Sequence, residues 1–403
     1  MKEKMIKLDD CLELITYGFT NPMVDSDAGP WKVTAKDVVD GRINFNTARH
    51  TTQEAYDNEL TDKSRPVCGD ILLTKDGTLG RLAIVRDEVV CINQSVALLR
   101  VNKEIVSPEY IFYILSSDEY QAKMIADAGG STIKHIYITR VNQLFIPYMT
   151  FDKQKKFVGF IKPYDEMIDN CKLQIELLQE MAKRMYKEWF IDLKFPGYEQ
   201  VEVIDSVPRG WISSSIGDLL EIRSGYAFKS SWWQKEGVPV VKIKDIFDDF
   251  VNTDELDCVD ADKIDKCKDF KLEKGDLVVA MTGATIGKIG VVPDIDELYT
   301  NQRVGKFFPK YKGIQPFLYC FYLQKSTVES ILAISSSSSA QPNISGNQLT
   351  SFGLVYDLDT IKNFSNYLRP NYEKIICLKN QIKKLTEQRK IVLSKLMSGE
   401  IEV

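Results

Sequence analysis

This chain is written twice, with an offset of about 207 residues, far beyond the roughly 20 to 50 of a solenoid repeat. Gly69-Asp70-Ile71-Leu72-Leu73 returns as Gly275-Asp276-Leu277-Val278-Val279, followed by Gly77 and Gly80 in the first copy and by Gly283 and Gly287 in the second. Gly18 answers to Gly225, Lys36-Asp37-Val38 to Lys244-Asp245-Ile246, Asn93-Gln94 to Asn301-Gln302, and Pro108 to Pro316. One domain was copied and then diverged. In each copy short β-rich runs, such as Arg81-Leu82-Ala83-Ile84-Val85 and Lys288-Ile289-Gly290-Val291-Val292, alternate with glycine-bearing turns, which predicts mixed domains of about 150 residues.

Each copy closes on an amphipathic segment. Ile168, Cys171, Ile175, Leu178, Ala182, Met185 and Trp189 step by three and four, the a/d seam of a coiled coil. Ile375, Leu378, Ile382, Leu385, Arg389, Val392 and Leu396 repeat the pattern at the same offset, with Arg389 the polar exception. The remaining faces are rich in Lys, Glu, Gln and Asn, so a helix of this length needs a narrow partner, and antiparallel pairing of the two seams is expected over packing of each on its own domain. Pro163 and Pro370 occupy equivalent places: either the seam helices start there, or longer helices from about Asp152 and Thr360 bend there. From Pro163 to Phe190 a helix would span about 42 Å.

Composition excludes several classes. The chain of 403 residues is long enough for two domains plus connectors. Its 44% hydrophobic and 27% charged content is that of a globular protein, without an apolar run near the roughly 18 residues a membrane span needs. No apolar segment follows Met1-Lys2-Glu3-Lys4-Met5-Ile6 to make a signal peptide, so the expected location is the cytoplasm. The cysteines at 11, 68, 91, 171, 258, 267, 320 and 377 are scattered, with only His50 and His135 as imidazole companions; neither zinc nor disulfides are expected. A net charge of -5 makes no global case for nucleic acid, so a DNA-binding face would have to gather its basic residues locally.

No catalytic motif stands up. Gly283-Ala284-Thr285-Ile286-Gly287-Lys288-Ile289 is one residue short of a phosphate loop and ends in Ile; a tight glycine turn explains it better, and Lys75-Asp76-Gly77-Thr78-Leu79-Gly80-Arg81 repeats the glycines without the phosphate-loop spacing. Neither copy carries the Asn- or Asp-Pro-Pro-aromatic segment of amino-methyltransferases. Asp294, Asp296 and Glu297 cluster in a proline-containing turn without a counterpart in the first copy, which reads as a solvated loop rather than a nuclease metal site. The serine run from Ser335 to Ser339, with Ala340-Gln341-Pro342-Asn343 after it, reads as a low-complexity loop whose hydroxyls and amides suit DNA. Basic and aromatic residues mingle at Tyr226-Ala227-Phe228-Lys229 with Trp232-Trp233, and at Lys134-His135-Ile136-Tyr137 with Arg140, consistent with a surface that tracks phosphates and reaches base edges. Core aromatics beside surface lysines account equally for most of these positions taken singly.

On these residues the chain resembles Type I restriction-modification specificity subunits along essentially its whole length. Leu396-Met397-Ser398-Gly399-Glu400-Ile401 is similar to the family's C-terminal ending, Trp189-Phe190-Ile191-Asp192 through Phe195-Pro196-Gly197 to the close of its central helical region, and Gln341-Pro342-Asn343-Ile344-Ser345 with Leu349 to the end of a target recognition domain. The first copy ends in Ile138-Thr139-Arg140 without the Gln-Pro-Asn segment. The resemblance implies an α+β fold with two homologous mixed α/β target recognition domains, at 1–150 and 208–360. They are separated by two long helices forming an antiparallel coiled coil, with a pseudo-twofold internal repeat. Conserved helical spacers would fall at 151–197 and 361–403, with a linker at 198–207.

It also implies a non-catalytic role: each domain reads one half of a bipartite, asymmetric site in double-stranded DNA, and the helices set the spacing and dock two methyltransferase subunits. Those subunits, not this chain, would bind S-adenosylmethionine; a restriction/translocase subunit is a further partner such systems can carry. Candidate DNA-contacting residues are Lys75, Thr78, Arg81, Lys134, His135, Tyr137 and Arg140 in the first copy, and Tyr226, Lys229, Thr285, Lys288, Gln341 and Asn343 in the second. The competing classes are a self-contained DNA-acting enzyme, such as a nuclease or complete restriction enzyme, and a purely structural scaffold that pairs proteins through the helices.

Overall fold

The strands that follow the repeated Gly-Asp segment are buried on both faces and form the centre of each core. A computed structural model describes residues 4–126, 134–247, 249–336 and 343–403, and divides the chain into two compact units, Met1–Glu166 with Leu385–Val403, and Met167–Lys384. In the first unit, strand Ile71–Thr74 lies between Val96–Val101 and Leu82–Ile84 in an antiparallel sheet of four completed by Leu12–Tyr17. Because successive side chains point to opposite faces, Ile71, Leu73, Ala97 and Leu99 join one apolar cluster with Tyr110 and Ile111. Leu72, Ala83 and Leu98 join another with Val33, Val90 and Ile92.

The second unit repeats the plan. Leu220–Ser224, Val304–Pro309, Leu277–Ala280 and Ile289–Val291 stand in the same order, and the sheet continues into Phe250–Val251 and Ile246–Phe247. Leu277 and Val279 face the cluster that holds Phe307 and Phe317, while Val278, Ala280 and Val304 face the other side. Pairing of Met5–Lys7 with Phe145–Pro147 is matched by that of Ile212–Ser215 with Gly353–Tyr356. Helices Pro108–Ser116 and Gln315–Tyr322, each with a proline in its first turn, cover one face of their sheets.

The repeated motif residues have structural work in both copies. The Asp70 carboxylate accepts Nε of Arg100 at 3.0 Å, Nη2 at 2.7 Å and the Val67 amide at 2.8 Å. Its counterpart Asp276 accepts the Glu273 amide at 2.9 Å and pairs with Lys306 at 2.9 Å. A Cβ on Gly18 would fall 1.8 Å from the Ile92 carbonyl oxygen, and one on Gly225 2.4 Å from that of Thr300, so the backbone at both places can approach its neighbour only without a side chain.

Two long helices run from Phe151 to Tyr186, extended by a π-helical turn Lys187–Ile191, and from Leu358 to Ser398. Both continue through their prolines, so of the two readings of Pro163 and Pro370 the longer helix holds. The turns before each proline are anchored by burial: Phe157 and Ile161 pack with Tyr110 in the first unit, and Phe364 and Leu368 pack with Phe317 in the second. That packing offsets the backbone hydrogen bond each proline forfeits.

Each unit takes the N-terminal turns of one helix and the C-terminal turns of the other. In the first, Leu393 and Leu396 join Phe157 and Ile161, and Arg389 pairs with Asp165. In the second, Ala182, Tyr186, Trp189 and Phe190 join Phe364 and Leu368, with the Phe190 and Trp189 rings 5.1 Å and 5.5 Å from that of Phe364. In the second unit Met181 meets Asn371 while Trp189 meets Phe364, so the two stretches there run antiparallel. None of the seam positions is exposed: Ile168, Cys171, Ile175, Ala182, Trp189, Ile375, Leu378, Leu385 and Leu396 are buried, and Leu178, Met185, Ile382, Arg389 and Val392 are half-buried. Burial of a large seam side chain stabilises by about 1.5–3 kcal/mol.

Candidate nucleic-acid interface

The glycine turn after the central strand organises the candidate surface of each unit. In the first, Thr74 closes the turn: its amide bonds the Arg81 carbonyl at 2.8 Å, and its hydroxyl accepts the Arg81 amide at 2.9 Å. Gly77 and Gly80 hold φ of +78° and +81°, the left-handed values the turn demands. Thr78 and Arg81 are exposed at this turn, and Arg81 Nη1 donates to the Val38 carbonyl at 3.3 Å.

The segment carrying Lys134, His135 and Tyr137 lies against the start of the same turn, through a β-bridge between His135 and Asp76 and a bond from the Ile136 amide to the Lys75 carbonyl at 2.9 Å. The Asp76 carboxylate accepts His135 Nδ1 through one oxygen and Lys75 Nζ at 2.6 Å through the other. Burial alone would raise this carboxyl, but the hydrogen bonds from Lys75 and His135 outweigh it and hold it below the usual carboxylate range. Lys75 also lies over the Tyr17 ring, 5.4 Å from its centroid, and Arg140 lies 5.2 Å from that of the exposed Tyr137. The structure thus brings Lys75, Thr78, Arg81, Lys134, His135 and Tyr137 to one place.

In the second unit the counterpart turn holds Thr285 and Lys288, with φ of +78° at Gly283 and +79° at Gly287. Thr285 is tied by its hydroxyl to the Ile243 carbonyl at 3.1 Å, and Lys288 is exposed, 5.9 Å over the Phe247 ring. Asn343 bridges to Thr282, and the Ile344 amide bonds the Met281 carbonyl at 3.0 Å, the equivalent of the Ile136 to Lys75 bond. Tyr226 and Lys229 belong instead to a separate aromatic cluster, Tyr226 packing with Phe228, Trp232 and Phe270, and Lys229 lying 5.9 Å over the Trp232 ring. Gln341 lies outside the described residues. So do residues 337–339 of the serine run, whereas Ser335, read from the sequence as loop, is buried at the end of helix Lys325–Ser336, its hydroxyl donating to the Leu332 carbonyl at 2.8 Å.

Sequence reasoning did not identify which carboxylates serve these positions. Asp76 accepts from His135 and Asp165 pairs with Arg389, across 59 and 224 positions of chain, and no local pattern marks such pairs. Asp165 also accepts the Tyr113 hydroxyl at 2.7 Å. Among the described residues no group of three or more His, Cys, Asp or Glu side chains is placed to hold a metal ion, and no helix is long and apolar enough to cross a membrane.

Two α+β domains of one plan, each presenting a polar glycine turn and each bound up with stretches of the same two helices, define a class of tandem recognition proteins. The chain belongs to the family of the Type I restriction modification DNA specificity domain, whose model matches it twice, at residues 22–179 and 208–356. It is 24% identical over 384 residues to the Type I restriction enzyme MjaIX specificity subunit of Methanocaldococcus jannaschii, covering 86% of this chain and 82% of that one. It is 27% identical over 350 residues to the MjaVIII specificity subunit of the same organism, covering 83% and 79%. A crystal structure of a Type I restriction-modification S subunit from M. genitalium shares the fold, at 17% identity and a TM-score of 0.58 over 98% of this chain and 96% of that one.

Proposed function

We propose that each unit reads one half of a bipartite, asymmetric site in double-stranded DNA, and that the helical segments set the spacing of the halves and dock two methyltransferase subunits. The target recognition domains are 1–150 and 208–360, and the spacers are 151–197 and 361–403, joined to the second domain by a linker at 198–207. The chain itself is non-catalytic and acts in the cytoplasm; S-adenosylmethionine is held by the methyltransferase subunits, and a restriction/translocase subunit can join the assembly.

The observation that carries this reading is one domain plan present twice in a chain of a DNA-specificity family, with the same backbone at the glycine turn and different side chains on it. Two similar scaffolds with diverged polar tips suit two different half-sites, since contacts to phosphates position a protein while contacts to base edges specify.

The test is replacement of 208–360 by the same region of a relative, in a complex reconstituted with the methyltransferase subunits. Mapping the methylated sites should show one half changed and the other retained. A change in both halves would defeat the modular reading. The purified chain alone, given S-adenosylmethionine and DNA, should transfer no methyl groups.

A further inference from the structure

At the β-bridge of the glycine turn the two units keep the same backbone geometry but carry different hydrogen-bonding chemistry at a polar tip. In the first unit the bridged pair is Asp76 with His135; in the second it is Thr282 with Asn343. Both outer residues precede an isoleucine whose amide is tied to the residue before the turn, Ile136 to Lys75 at 2.9 Å and Ile344 to Met281 at 3.0 Å. The backbone therefore sets His135 and Asn343 at equivalent points, and Asn343 is exposed.

The His135 side chain is 43% exposed, whereas Asp76 keeps only 22% and Lys75 only 17% of theirs. The carboxylate is thus recessed and the imidazole stands over it. A carboxylate only accepts, so the bond to Nδ1 requires the proton to sit on that nitrogen, and in the neutral ring the lone pair is then on Nε2. Lys75, on the other carboxylate oxygen, holds Asp76 ionised and in place.

We propose that His135 is a base-reading residue of the first unit and that Asp76 positions it, so that Nε2 is presented as a hydrogen-bond acceptor for an exocyclic amino group in the major groove. This rests on the reading of the units as DNA readers. The groups that fit are N6 of adenine and N4 of cytosine; guanine and thymine offer acceptors at the corresponding places and would be rejected. Asn343 carries a donor and an acceptor on one amide, the arrangement that suits adenine N7 and N6 together, so the second unit would read a different base from the equivalent point. Asp76 is a positioning residue, acting through the ring it holds.

The experiment uses the complex with its methyltransferase subunits, assayed on a duplex library randomised across both half-sites. His135→Ala should reduce discrimination at a single base pair of the first half-site about tenfold, leaving the second half-site unchanged. Asp76→Ala should relax preference at that same base pair with His135 still present. His135→Asn, which installs the residue of the second unit and keeps a polar side chain, should move preference there toward adenine. Unchanged preference at every position in His135→Ala, uniform weakening across all sequences, or relaxation by Asp76→Ala at a different base pair would each overturn the proposal. Circular dichroism would separate loss of fold from loss of reading, and His135→Asn decides the matter should Asp76→Ala fail to fold. A wild-type complex without sequence preference would instead defeat the DNA-reading function on which the proposal rests.

Discussion

Single side chains in this protein divide by what burial does to them. Desolvation pushes the Cys11 thiol up to about 11 and those of Cys91 and Cys320 to about 12, so at neutral pH these sulfurs are neutral packing groups. Cys68 and Cys377 are exposed. With a maleimide at about pH 7.5 the purified chain should label at Cys68 and Cys377, and at Cys91 and Cys320 only once unfolded, as peptide mass spectrometry would show; rapid labelling of Cys320 in the folded chain would contradict its burial. Glycine marks the opposite constraint, where any side chain is too much. Gly18→Ala places a carbon against the Ile92 carbonyl and should destabilise the first unit by about 3 kcal/mol, the upper end for overpacking, read as a lowered urea midpoint.

Among the elements, the long helices contain both a weak point and a paired charge. Gly159 lies exposed within helix Phe151–Tyr186, and a Cβ there meets nothing within 4 Å. Gly159→Ala should therefore stabilise by about 0.5–1 kcal/mol, through helix propensity alone. Arg389 interrupts an otherwise apolar seam, and the structure answers it with Asp165, which Tyr113 also holds. The pair is only partly buried, at 35% and 22% exposure, so Arg389→Ala should cost about 1–2 kcal/mol rather than the 3–5 of a fully buried pair. A double-mutant cycle with Asp165→Asn should show positive coupling. Additivity of the two changes would mean that the arginine contributes through packing of its stem instead.

At the scale of the whole chain the proposed function makes the helical spacers a ruler. Seven residues added to each, at Gln174 and at its repeat counterpart Gln381, preserve the heptad phase and lengthen each helix by about 10 Å at 1.5 Å per residue. The methylated site of the complex should then keep both half-sequences and gain about three unspecified base pairs, at ten or so per 34 Å turn. An active mutant with the original spacing would leave the helices as docking surfaces only.

The duplication, the glycine positions, the β-rich runs between glycine turns and both seams were legible in the sequence because each is a local or periodic pattern, imposed by short apolar runs, a turn of 3.6 residues or a backbone that tolerates only glycine. The helix starts were open, because a proline is admissible both in a first turn and inside a helix; burial of Phe157, Ile161, Phe364 and Leu368 decided it. Which polar residues belong together was legible only within a short stretch, as for Tyr137 and Arg140. Tyr226 and Lys229 resembled the glycine-turn residues in composition yet joined another cluster, and Asp76 and Asp165 found their partners across 59 and 224 positions. Pattern determines what a segment forms, but pairing of distant charges depends on where the packed core leaves each side chain, and only the tertiary structure decides that.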